Sequence, residues 1–122
     1  MKVTRVYADE QGETHFADTV IELHAAGEIG RLSQPIAAKS VIFRKNDPGY
    51  DYDWHNAPQR QFIVLLDGAI ELEVSDGSRR TLRGGEILLM EDTTGRGHRT
   101  RHVEQRERQS LFIVLGDEAT IR

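Results

Sequence analysis

The stretch "LDGAIELEVSDGS", residues 66–78, decides the fold class. Ile70, Leu72 and Val74 alternate with Glu71, Glu73 and Ser75, so apolar and polar side chains project to opposite faces of an extended chain. One dry face and one wet face are what an antiparallel sheet packed on a core requires. Asp67-Gly68 and Asp76-Gly77 bracket the run, and Asp-Gly steps are strong hairpin signals. Further out, "LRGGE" (82–86) adds a tight turn, because paired glycines accept positive φ at little cost. Strands are expected at 19–23, 38–45, 60–66, 69–75, 80–83, 86–90, 97–103 and 109–115, where Val, Ile, Leu and Phe concentrate. No longer segment keeps a helical period with caps. The expectation is an all-β chain, folded as a sandwich or barrel.

A length of 122 residues suits one domain with a single core. Apolar residues at 38% and charged residues at 30% fit a folded, soluble chain rather than a disordered one. Net charge is −4, and the arginines of "GRGHRTRHVEQRERQ" (95–109) are interrupted by Glu104 and Glu107. That pattern lacks the basic stripe of a nucleic-acid reader, so no nucleic-acid partner is expected. No apolar run approaches the roughly 20 residues of a membrane helix, so no membrane partner is expected. The start, "MKVTRVYADEQ", lacks the apolar core of a secretory signal, and there are no cysteines, which together point to the cytoplasm. Any metal would have to be held by nitrogen and oxygen, chiefly from the five histidines and the carboxylates.

Residues 49–68, "GYDYDWHNAPQRQFIVLLDG", contain a spaced pattern: Gly49, five residues, His55, one residue, Ala57, three residues, Gln61, six residues, Gly68. In spacing this resembles the first motif of the cupin superfamily, G(X)5HXH(X)3,4E(X)6G, with Ala57 at the second histidine and Gln61 at the glutamate. "GEILLMEDTTGRGHRTRH" (85–102) resembles the second motif, G(X)5PXG(X)2H(X)3N. Glu91 stands at the proline, the loop is about two residues longer, His98 follows it, and His102 takes the asparagine position. The resemblance covers about residues 38–115. It implies a jelly-roll β-barrel of two antiparallel sheets over 38–122, with residues 1–37 as N-terminal strands packing on the barrel or on a dimer partner. One domain overall and a homodimer follow from the same resemblance. It does not fix the reaction, because cupins include dioxygenases, isomerases, epimerases, lyases, cyclases and non-catalytic binding proteins.

Many cupins hold a divalent metal through the residues of these two motifs. Carried over, His55 and His98 remain as ligand types, Ala57 offers nothing, and Gln61 offers an uncharged amide oxygen. His98 and His102 are four apart on an expected strand, so their side chains share a face. His55, His98 and His102, completed by Gln61 or water, would suit one divalent transition metal: Zn²⁺, Fe²⁺, Ni²⁺ or Cu²⁺. The alternative is a metal-free pocket for a small-molecule ligand, with Ile63, Leu65 and Thr100 on its walls. There, one histidine removes a proton alpha to a carbonyl and a second returns one elsewhere. Period two also places Asp53 on the face of His55, where a carboxylate would orient the imidazole, and puts Tyr52 and Trp54 on the other face. His55, His98 and Asp53 are therefore the catalytic candidates. The chemistry within reach is that of an isomerase, lyase, cyclase or metal-dependent oxygenase. The edits at Ala57 and Gln61 favour a rival, a non-catalytic ligand-binding or sensor protein. Arg60, Arg99 and Arg101 are candidates to guide an anionic substrate at the mouth.

Overall fold

A computed structural model describes residues 1–121. Its strands are Lys2–Ala8 (β1), Thr14–Val20 (β2), His24–Ala25 (β3), Arg31–Leu32 (β4), Ala38–Asn46 (β5), Asp51–His55 (β6), Gln61–Leu65 (β7), Ala69–Val74 (β8), Arg79–Arg83 (β9), Ile87–Met90 (β10), His98–His102 (β11) and Arg108–Leu115 (β12). A six-stranded sheet runs in the order β2-β1-β10-β7-β12-β5, and a four-stranded sheet in the order β6-β11-β8-β9. β3 and β4 form a small ribbon of their own, joined through a short 3₁₀ turn at Gly27–Ile29. The all-β, jelly-roll expectation is met.

Three features depart from the expectation. The two large sheets are not closed into a barrel; β2 and β5 remain as edges of one, and β6 and β9 as edges of the other. The larger sheet is mixed rather than purely antiparallel, because β1 runs parallel to β10, with Thr4 opposite Leu88 and Val6 opposite Met90. The third is the place of β1, which lies within the six-stranded sheet between β2 and β10. Glu91 fastens the seam, accepting from Arg5 Nε at 2.5 Å and from Arg60 Nε at 2.8 Å. Arg60 is thereby committed to the scaffold.

The strand read at 19–23 ends early. Its ladder with β1 closes at Val20, and the amide of Ile21 turns back to the Met1 carbonyl. β1 itself escapes a period-two reading because it is an inner strand. Val3 and Val6, both buried, are three apart and face opposite sides.

The core between the sheets contains Val6, Leu65, Ile70, Leu72, Val74, Leu82, Leu88 and Met90. Ile70, Leu72 and Val74 are all buried, as their alternation dictates, and each such side chain stabilises the fold by roughly 1.5–3 kcal/mol. A second cluster, including Val3, Phe62, Leu89 and Leu115, packs on the outer side of the six-stranded sheet. β5 is the exception among the apolar strands. It is an edge, and Phe43 at its middle is 81% exposed.

Gly97 matters most for the region described next. It has φ +76°, and a Cβ there would overlap the carbonyl oxygen of His55 and lie 2.6 Å from its carbonyl carbon. The absent side chain lets the start of β11 lie directly against the end of β6. Gly97→Ala is expected to destabilise the fold by roughly 2–3 kcal/mol through backbone strain and this clash. Denaturant unfolding measures it, and a change below about 0.5 kcal/mol, the range of an unremarkable surface substitution, would contradict the packing described.

Candidate functional site

Between the sheets lies a cavity of about 290 Å³. Ile63, Ile70, Leu72, Leu88, Met90 and Phe112 supply apolar walls, and Arg44, Tyr50, Tyr52, His55, Gln61, His98 and Thr100 supply polar groups. Ala57 lines it too, so the missing second histidine of the motif leaves open space at the wall.

The two histidines meet across neighbouring strands. His98 on β11 stands opposite His55 on β6, with ring centroids 4.3 Å apart in an edge-on arrangement. His98 is buried, and its Nδ1–H donates to Asp92 Oδ2 at 2.5 Å. Asp92 has no solvent exposure, and its other oxygen, Oδ1, has no partner among the described residues. A carboxylate behind Nδ1 fixes the tautomer and leaves Nε2 as the reactive nitrogen. His55 reaches the same state by another route, since its Nδ1–H donates to the backbone carbonyl of Asp53 at 2.7 Å. Burial pushes the His55 pKa below the usual 6.5, opposed by the Asp53 carbonyl, while the neighbouring His98 adds a smaller push in the same direction. A neutral imidazole with a free Nε2 is a general base in waiting.

A β-bulge decides which neighbours His55 has. His98 pairs with His55 and Thr100 with Tyr52, so three residues of β6 span the same length as two of β11. The extra residue flips the phase of the strand. Tyr52, expected to face away, turns to the cavity and packs on His55 with centroids 3.8 Å apart. Asp53, expected beside His55, turns out to solvent with its side chain 85% exposed and lies 3.8 Å from Arg99. Only its backbone carbonyl serves the site.

His102 also lies elsewhere. It does share a face with His98, but four residues of strand separate them by roughly 13 Å, too far for one metal ion. Its Nε2 accepts the Gly49 amide at 2.8 Å, and it does not line the cavity. Leu65 likewise belongs to the packed core instead of the cavity wall, whereas Ile63 and Thr100 do line it. Among the described residues, no three His, Asp or Glu side chains converge as a metal-holding group. Two imidazoles and the neutral amide of Gln61 supply no charge to a divalent ion. The donor set does not fit the expected metal.

Asp92, Tyr50, Tyr52 and Arg44 are site residues that sequence reasoning did not find. The signal for Asp92 was a carboxylate two residues after the apolar run "ILLM" (87–90), six residues ahead of His98 in a loop with two glycines. Such a loop can fold back on itself, and this one does.

No protein-family profile matches the chain, and no curated protein matches it. Solved structures do. A conserved protein of unknown function, SPY1581 from Streptococcus pyogenes, is 23% identical with a TM-score of 0.52, covering 72% of each chain. A cupin domain from Bordetella pertussis is 18% identical over 67% of this chain and 90% of its own, with a TM-score of 0.49. An RmlC-like cupin from Desulfovibrio desulfuricans is 13% identical over 93% and 81%, with a TM-score of 0.45. At these identities the likeness is one of fold.

The lowered His55 pKa has a definite sign. Unfolded, His55 takes a proton near 6.5; folded, it takes one only at lower pH. Stability linked to His55 is therefore intact above 6.5 and declines as pH falls from 6.5 toward the folded value. Ring-proton NMR should give His55 a midpoint below 6.5, and His55→Gln should lose less Tm between about pH 7.5 and pH 5.5 than the parent does. A midpoint at or above 6.5 would contradict the burial of this ring.

Proposed function

We propose that this chain, a cupin by fold, binds a small organic molecule in the cavity between its sheets and moves a proton on it without a metal. The observation that carries the reading is the pair of facing histidines, His55 and His98, each with Nδ1 committed and Nε2 left for the cavity. Burial favours neutral His55, which makes it the base that takes a proton from carbon next to a carbonyl. The His55 imidazolium formed in that step gives the proton back at another carbon, while the bare Nε2 of His98, aimed by Asp92, accepts a hydrogen bond from the bound molecule. Thr100 and Gln61 add neutral hydrogen-bonding groups, and the apolar walls exclude water from the carbanion. An isomerase-, lyase- or cyclase-type reaction uses these steps.

A panel of small carbonyl compounds in D₂O tests this by NMR. At least one should exchange its alpha proton faster than in buffer, and His55→Gln and His98→Gln should each slow that exchange by about 10²-fold or more. Asp92→Asn should slow it as well, because an amide no longer fixes the tautomer of His98. Exchange should survive treatment with a chelator. Compounds that bind while wild type and both histidine variants exchange alike would instead favour the non-catalytic binding protein, the reading suggested by Ala57 and Gln61.

A second copy of the chain is the proposed partner. β5 is an open edge nine residues long, with Val41, Ile42 and Phe43 all exposed. An antiparallel meeting of β5 with its own two-fold mate is self-complementary and would cover both edges. Light scattering should give twice the 13.8 kDa chain mass, falling to one chain in Phe43→Glu. A wild-type monomer at high concentration would contradict the arrangement.

A further inference from the structure

Away from the histidines, the interior holds two arginines, Arg44 and Arg108, and neither forms an ion pair with a carboxylate among the described residues. Arg108 opens β12 in register with Asn46 of β5, and it is 2% exposed. Its stem crosses Gly68, where a Cβ would lie 2.7 Å from Cγ and 3.1 Å from Cδ. Nε, Nη1 and Nη2 are all buried without a hydrogen-bond partner among the described residues. The Tyr50 ring, a wall of the cavity, packs near this guanidinium at 5.4 Å and near that of Arg44 at 5.8 Å. Arg44 lines the cavity itself, stacks on Phe112 at 4.3 Å, and donates Nε to Ser110 Oγ at 3.0 Å. Asp67 is the carboxylate whose charge Arg108 feels, yet its oxygens are taken by the Gln109 amide and by Arg106.

His102 adds to the same imbalance. Because Nε2 accepts the Gly49 amide, the ring proton of the neutral form sits on Nδ1, which is buried and unpartnered. Against these donors stands one buried acceptor without a partner, Oδ1 of Asn46, so donors outnumber acceptors under the β5–β6 turn among the described residues. A buried guanidinium with no partner destabilises a fold. Held behind the Tyr50 wall, that charge adds to the field of Arg44 and favours an anion on the cavity side.

We propose that the ligand of the cavity is a small organic acid whose carboxylate is received at the Arg44–Tyr50 wall, with Arg108 supplying a second positive charge behind Tyr50. The planar guanidinium fork matches a carboxylate, and the field of two arginines is strong where water is excluded. The apolar body of the acid lies against Leu72, Ile70 and Phe112, and its far end meets His55 and His98. This rests on the small-molecule reading above and names the substrate class for it. It also separates the two tasks in space: charge recognition at the arginines, proton transfer at the histidines.

Calorimetry with butyrate, hexanoate and benzoate, each paired with its primary amide, and with inorganic phosphate alone, tests the proposal. At least one acid should bind, at least tenfold tighter than its amide and tighter than phosphate. Arg44→Met and Arg108→Met should each weaken the acid at least tenfold. Arg108→Met should at the same time keep or raise Tm, because it removes an unpaired buried charge; a purely structural arginine would lower Tm. Should that variant fail to fold, the proposal is overturned in its account of Arg108, and Arg44→Met still reports on the carboxylate. Amides that bind as well as acids, or acid affinity unchanged in both variants, would overturn the acid site while leaving the cavity reading in place. Phosphate binding as tightly as the acids would assign the arginines to a bare oxyanion and overturn the organic acid. No binding by any acid or amide would overturn both readings together.

Discussion

The hydrogen bond between buried His98 and buried Asp92 is the constraint from which the rest of the site follows. It exists only because residues 92–97 fold back as a compact loop. The Asp92 carbonyl receives the Ala57 amide at 3.2 Å and Asn56 Nδ2 at 3.3 Å, and the Gly95 carbonyl receives Asn56 Nδ2 at 3.1 Å. From the other side, the Arg96 amide donates to the Gly12 carbonyl at 2.9 Å. Gly95 lies so close to Gly12 that a Cβ would sit 2.5 Å from that carbonyl oxygen. Pinned on both flanks, the loop delivers His98 to the cavity with its ring already oriented, which is the pre-organisation that proton transfer needs.

The two ends of the cavity follow different physics. At the histidine end, each ring Nδ1 has its acceptor, and burial suppresses charge on His55. At the arginine end, positive charge is retained in spite of burial, and donors lack acceptors. Burial lowers the pKa of both Arg44 and Arg108, and a guanidinium in a protein stays charged all the same. A fold that satisfied only its own stability would have exchanged Arg108 for an apolar residue.

The sheet architecture was legible in the sequence because it depends on local rules. Alternation in residues 69–75 and the Asp-Gly turns on either side of it place β8 without knowledge of any neighbour. The motif spacing placed His55 and His98 in one cavity for the same reason, since turns and strand lengths carry it. The losses were all failures of phase or distance. One bulged residue in β6 exchanged Tyr52 for Asp53 at the site, and nothing in "YDYDWH" (50–55) marks where that residue falls. His102 was placed on the correct face and the wrong level, because period two says which side a residue takes but not how far along the strand it lies. Asp92 and Arg108 were invisible for a different reason. Charged residues are ordinarily exposed, and only the closed loop and the glycine at position 68 make room for these two inside.

The central claim is that Asp92 and the Asp53 carbonyl hold His98 and His55 with Nδ1 protonated and Nε2 bare, ready for a ligand. Long-range ¹⁵N–¹H correlation spectra of the histidine rings at about pH 9, above the ordinary histidine range, test it most directly. The account predicts the Nδ1–H tautomer for both rings, and for His98 a loss of that preference in Asp92→Asn. A His98 ring carrying its proton on Nε2, or a tautomer indifferent to Asp92, would contradict it.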